Sequence, residues 1–211
     1  MTDQPNEEVA RMHQAVGECV LAWATVEVYL QFLWRLAHNN DALLPDAIWG
    51  AVVSMDARLS ALQKILKLKF GETEHWGDVV LLLEEARRRN SQRNEIAHAT
   101  LLLEGGVTPR LESFFLISEP RTPISVEQIQ ERSRAFINLA QAISWLHHWR
   151  LEPAPMPRKQ LQAFVQQPPD LILALRAERD RKSKEQSERQ KLLRHALKLA
   201  EAGRLPDWPA D

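Results

Sequence analysis

The chain is predicted to be all-α, and three observations carry that prediction. Its 211 residues include only 7 glycines. Leu, Ala, Glu, Arg and Gln, which are strong helix formers or helix-tolerant, fill long unbroken runs. The apolar residues of the first run recur at helical spacing: Val16, Val20, Trp23, Glu27, Leu30 and Trp34 follow one another at intervals of four and three, which puts all six on one face of a helix expected over residues 6–38. Glu27 is the exception on that stripe. A carboxylate is costly to bury unpaired, so it needs a cationic or hydrogen-bonding partner. Arg93 is the partner expected, either in an ion pair that fixes packing or in one that positions the arginine.

The remaining elements follow in order. After Pro45, an acceptable first-turn residue, the chain should form a short helix, break near Ser54, and resume as a helix that stops at Gly71. The third long run starts near Glu72 or Thr73, the latter as N-cap, and presents Val79, Leu82, Leu83, Ala86, Ile96 and Leu101 as its apolar side. Gly105-Gly106 between Leu- and Phe-rich stretches predicts a small β-hairpin, with Pro109 keeping one strand short. Ser125 with Gln128 three residues on has the form of a capping box. It opens a fourth long helix through about Trp149, marked by Val126, Ile129, Phe136, Ala140 and Ile143. Trp23, Trp34 and Trp49 are spaced as core residues, not as a stacking platform for bases.

"EPAPMPRKQ" ends that helix and divides the chain into a helical bundle, 1–152, and a Pro-rich linker with a charged helical extension, 153–211. The final run, 171–203, carries a basic excess, and its middle, "RAERDRKSKEQSERQK", has no apolar face with which to pack. Only its ends, through Leu171, Ile172, Leu175, Leu192, Leu193 and Leu197, are expected to dock.

Composition narrows the function. A formal charge of −1 and a pI near 6.7 argue against a protein that coats DNA, so contact with nucleic acid must be local. Cys19 is the only cysteine, which excludes an intramolecular disulfide and a Cys-rich zinc module. The polar, acidic N-terminus and the absence of an uncharged apolar run of 18 residues lead to the expectation of a cytoplasmic protein without a membrane partner. No phosphate-binding glycine loop and no Gly-x-Ser-x-Gly occur, so kinase, nucleotide-cofactor and serine-hydrolase readings lack support. His147-His148 invite a metal, but adjacent histidines diverge on a helix and lack a His-x-x-x-His partner, which favours packing.

The polar constellation lies in "RRRNSQRNEIAHA". Residues four apart on a helix point the same way, so Asn90, Asn94 and His98 form a row, with Arg87 one turn before it and Arg93 alongside. Asn is a weak helix former, and such a row is read either as a solvated face or as a site. The order Arg93, Asn94, three residues, His98 resembles the Arg-polar-x-x-x-His ribonuclease motif of the HEPN family. The resemblance covers residues 6–150 and leaves the tail outside.

It implies a four- to five-helix up-and-down bundle with a hairpin insertion after the motif. It further implies that Arg93, Asn94 and His98 line an RNA-cleaving site at a two-fold homodimer interface, with Asn90, Arg87 and Glu27 in support. The residue types suit the chemistry: cleaving RNA without a cofactor requires a base for the 2′-hydroxyl, an acid for the leaving oxygen and a cation for the phosphate. Histidine can serve as base or acid, arginine offers phosphate a planar fork of donors, and a symmetric dimer doubles both. Such an enzyme would be toxin-like or defence-related, with an antitoxin or other protein partner as a further expectation. Two alternatives stand beside it: a non-catalytic HEPN-like module that binds RNA or nucleotides, and an α-helical interaction module.

Overall fold

The computed structural model describes residues 4–39, 43–104, 108–113, 123–151 and 168–201. Its elements are α1 (Gln4–Ala37), α2 (Leu43–Ala51), α3 (Met55–Phe70), α4 (Trp76–Ala97), β1 (Ala99–Glu104), β2 (Thr108–Ser113), α5 (Val126–Trp145), a π-helical turn (Leu146–Leu151) and α6 (Asp170–Glu201). The chain is predominantly helical, as its composition requires. β1 and β2 form an antiparallel ladder with Leu101 opposite Leu111 and Glu104 opposite Thr108. Leu101 therefore belongs to a strand and not to the helix before it. The expected turn at Gly105-Gly106 and the Pro-rich linker fall outside the described residues.

The core is built on α1. Its buried positions are Met12, Ala15, Cys19, Ala22, Trp23, Val26, Leu30, Leu33, Trp34 and Leu36, a heptad-like stripe. That stripe is rotated from the expected one: Val16 is half-buried and Val20 is exposed. Small Ala15, Cys19 and Ala22 face inward because α5 approaches closely along this line. The Trp23 ring meets Phe136 edge-on, with centroids 5.2 Å apart, and Phe32 lies 6.0 Å from His147 further along. Both pairs advance together in sequence, so α1 and α5 run in the same direction. Phe136 is fully buried, and truncating it to Ala would cost about 3–5 kcal/mol.

By length and composition α1 also qualifies as a membrane span, although Glu18 and Glu27 interrupt it, and a third of its most apolar window is buried within this fold.

The ends of the helices have chemical causes. Asn39 closes α1 in the left-handed conformation (φ 59°), which Asn tolerates, and its Oδ1 and the carbonyl of Leu36 accept hydrogen bonds from Lys69 Nζ. This tie places the C-terminal end of α3 beside that of α1. Trp34 Nε1 donates to the carbonyl of Pro45 (2.8 Å), seating α2, and Arg35 forms an ion pair with Asp46. Ser54 caps α3 by accepting from the backbone of Ala57.

Gly71 is the C-cap of α3, its N–H donating to the carbonyl of Lys67, and the position requires glycine because a Cβ there would lie 2.3 Å from that oxygen. Thr73 is not the N-cap of α4: its hydroxyl donates back to the carbonyl of Phe70, and α4 starts at Trp76 after a turn of its own. Ser125 and Gln128 form the expected capping box on α5. Direction alternates along α3, α4 and α5, as the bonds from Arg87 to Gln63 and from Arg132 to Glu95 require, while α1 and α3 are parallel and joined by the short α2.

Two compact units emerge, 1–172 and 173–211. The division lies within α6 and not at Pro153, because Ile172 is fully buried in the first unit. Within the second, ion pairs between Lys182 and Glu178 (2.7 Å) and between Arg181 and Glu185 (2.9 Å) lace the surface of α6. Leu192, expected to dock, is exposed, and Leu171 and Leu175 are only half-buried.

Candidate active site

The last two turns of α4 carry the polar row, and the helix wheel explains its composition. Val79, Leu82, Leu83 and Ala86 fill the inward face. Arg93 continues that face one turn from the end, where it is half-buried and where the bundle opens. Its Nη1 donates to Asn94 Oδ1 at 3.1 Å, so the guanidinium and the amide are held together. Asn90, one turn earlier, is buried at 7% exposure.

His98 is not in mid-helix. It is the C-cap of α4 (φ −108°, ψ 9°), its backbone N–H returns to the carbonyl of Asn94, and its ring is exposed. The imidazole thus stands on the open end of the helix that carries the arginine. Arg87 turns away toward α3, donating to Gln63 Oε1 at 2.8 Å.

Glu27 has a different partner from the one expected. Its carboxylate accepts from Trp23 Nε1 at 2.6 Å, and no ion pair joins it to Arg93 among the described residues. Indole N–H and carboxylate are four apart on one helix, so the local bond is always within reach, whereas Arg93 is held by Asn94. Half-burial leaves the rest of the carboxylate in water, which removes the need for a cation.

A second layer fastens this end of α4 and was not read from the sequence. Glu85 is buried at 5% exposure and accepts from Arg88 (2.8 and 2.6 Å) and from Arg89 Nε (2.7 Å). Burial raises the pKa of its carboxyl, and the hydrogen bonds and charges of the two arginines outweigh that, leaving it below the usual carboxylate range. Arg89 also donates to Gln92 Oε1 at 3.1 Å. From α5, Arg132 Nη1 reaches the backbone carbonyl of Gln92 (3.2 Å) and Glu95 Oε2 (2.9 Å). The one available sequence signal was Glu85 preceding Arg88 and Arg89 at helical spacing; the link to Arg132 crosses two helices and leaves no such trace.

A recess of about 200 Å³ opens between α4 and α5, lined by Arg89, Gln92, Gln128, Glu131 and Arg132. Cys19 is buried on α1, and its thiol is pushed up to about 11 by burial, with the charge of Arg132 pulling the other way.

His147 is buried and His148 exposed, with their Nδ1 atoms 3.2 Å apart. Among the described residues no three His, Cys, Asp or Glu side chains gather in a group able to hold a metal ion. No family model matches the chain, and neither a curated protein nor a solved structure matches it.

Proposed function

We propose that the protein is a cytoplasmic, HEPN-like endoribonuclease that works as a homodimer and needs no metal. The observation that supports this most is the end of α4, where Arg93 is held at its guanidinium by Asn94 while the His98 ring is exposed one turn beyond. In the proposed dimer, two copies of this helix end face one substrate phosphate. One His98 takes the proton of the 2′-hydroxyl as that oxygen attacks phosphorus. The other donates a proton to the departing 5′-oxygen, and Arg93 carries the charge that develops on the phosphoryl oxygens. Asn94 acts by holding Arg93. The basic second unit adds sequence-independent affinity for the RNA backbone, and a toxin-like or defence role with an antitoxin or other protein partner follows from unrestrained RNA cleavage.

The test is made on the full chain. Its mass at micromolar concentration should be that of a dimer, RNA should be cut equally with and without EDTA, products should end in a 2′,3′-cyclic phosphate, and DNA, lacking the attacking hydroxyl, should survive. A monomer that cuts RNA would overturn the composite site, and products with a 3′-hydroxyl would overturn the mechanism.

A further inference from the structure

We infer that the recess between α4 and α5 reads a guanine base of the RNA, an inference that rests on the ribonuclease reading for its substrate but on its own geometry for the base. Five polar side chains line it, and most of their atoms are already committed. Arg89 uses Nε on Glu85 and Nη1 on Gln92, so its Nη2 is left as donor. Arg132 uses Nη1 on Gln92 and Glu95, which leaves Nε and Nη2. Gln92 Oε1 is taken by Arg89 and Gln128 Oε1 by the backbone of Ser125, so both amides turn donors, not acceptors, to a ligand. Glu131 is exposed, makes no hydrogen bond or ion pair among the described residues, and is the one uncommitted acceptor.

This inventory favours a base over a phosphate. Carboxylates sit against both guanidiniums, Glu85 on Arg89 and Glu95 on Arg132, and Glu131 adds a third to the lining, which weakens the field an anion would meet. A ligand must instead offer acceptors to the arginines and, beside them, donors to a carboxylate. Guanine alone among the four bases has two adjacent donors, N1–H and the 2-amino group, which fill both carboxylate oxygens. Its O6 and N7 are the acceptors that arginine engages in pairs. Adenine and cytosine would set a ring-nitrogen lone pair against the second carboxylate oxygen, and uracil has a single N–H.

The recess is also in the right place. Arg89 precedes Arg93 by one turn on the same helical row, and Gln92 adjoins it, so a base seated here belongs to a nucleotide neighbouring the proposed cleaved bond. Bases of single-stranded RNA are exposed for such reading on these edges.

The inference is tested by titrating the full chain with GMP, IMP, AMP, CMP and UMP, and separately by sequencing the cut ends of a randomised single-stranded RNA. GMP should bind about tenfold tighter than AMP, CMP or UMP, the discrimination one bidentate contact supplies. IMP, which lacks the 2-amino group, should fall between them, and Glu131→Gln should bring GMP to the level of AMP. In the cleavage experiment guanine should be enriched at one fixed offset from the cut, and the enrichment should vanish in Glu131→Gln. Equal binding of all five nucleotides, or a guanine preference that survives Glu131→Gln, overturns the base assignment while leaving the ribonuclease reading intact. Selective GMP binding by a protein that never cuts RNA overturns the ribonuclease reading and keeps the recess.

Discussion

Replacing Glu85 by Ala probes the network that fixes the end of α4, and the structure sets the size of the effect. The carboxylate is buried at 4% side-chain exposure, and its two arginines differ sharply, with Arg88 at 55% and Arg89 at 17%. The Arg88 contact is screened by water and contributes at most about 1 kcal/mol. The Arg89 contact is a charged hydrogen bond shielded from solvent, of the kind that contributes about 1.5–3 kcal/mol, and its loss leaves a guanidinium without its main partner. A total loss of about 2–4 kcal/mol is expected, short of the 3–5 kcal/mol seen for fully buried pairs. In a folded unit spanning residues 1–172 this lowers Tm by about 5–12 °C.

Urea unfolding of the wild type, Glu85→Ala and Glu85→Gln measures it, and double-mutant cycles should show stronger coupling to Arg89 than to Arg88. The carboxyl of Glu85 lies below its ordinary 4.5 in the folded state, so its stabilisation is complete above that pH and is lost as pH falls through the lower folded value. The stability gap between wild type and Glu85→Gln should therefore be full at neutral pH and shrink below about pH 4.5. A Glu85→Gln variant within about 0.5 kcal/mol of wild type at pH 7, or a gap unchanged at pH 3, would refute the carboxylate's role as clasp.

The thiol of Cys19, buried and raised to about 11, should react with a disulfide reagent at pH 8 only as fast as the chain unfolds; prompt labelling would place it at the surface. A chain ending at residue 172 should keep the stability of the first unit, whereas one ending at 152 should lose about 1.5–3 kcal/mol through the exposed site of Ile172, read by urea unfolding. Asn94→Ala should slow RNA cleavage less than Arg93→Ala, because Asn94 touches the arginine and not the phosphate; equal losses would give the amide a direct role.

Local rules carried much of this structure from the sequence. Ser125 with Gln128, Ser54 and Gly71 act through bonds and clashes within four residues, so the sequence shows them before any packing is known. Periodicity alone does not orient α1, because valine at 20 and alanine at 22 are both compatible with helix. Only the close approach of α5 decides that the small residue faces inward. Thr73 and Leu101 differ from expectation for a related reason: a threonine hydroxyl can bond backward as well as forward, and a leucine beyond the helix end serves a strand as readily as a helix. At the site, Asn94 and His98 were legible from spacing as a polar row with Arg93 alongside, and Glu27 as an anomaly on the apolar stripe, but its bond to Trp23 on the same helix, not to Arg93, depends on side-chain reach that spacing does not show. Arg132, Gln92 and Glu131 were invisible, since a recess between two helices joins residues about forty positions apart that carry no shared pattern.

The most direct measurement is the cleavage rate of single-stranded RNA by the wild type and by His98→Ala, with solution mass and circular dichroism recorded on the same preparations. His98 is exposed and caps α4 through its backbone, so the variant should keep the wild-type mass and helix content while its rate falls at least about a hundredfold, the lower range of a lost general acid or base. Cleavage at the wild-type rate by a folded His98→Ala dimer would contradict the account.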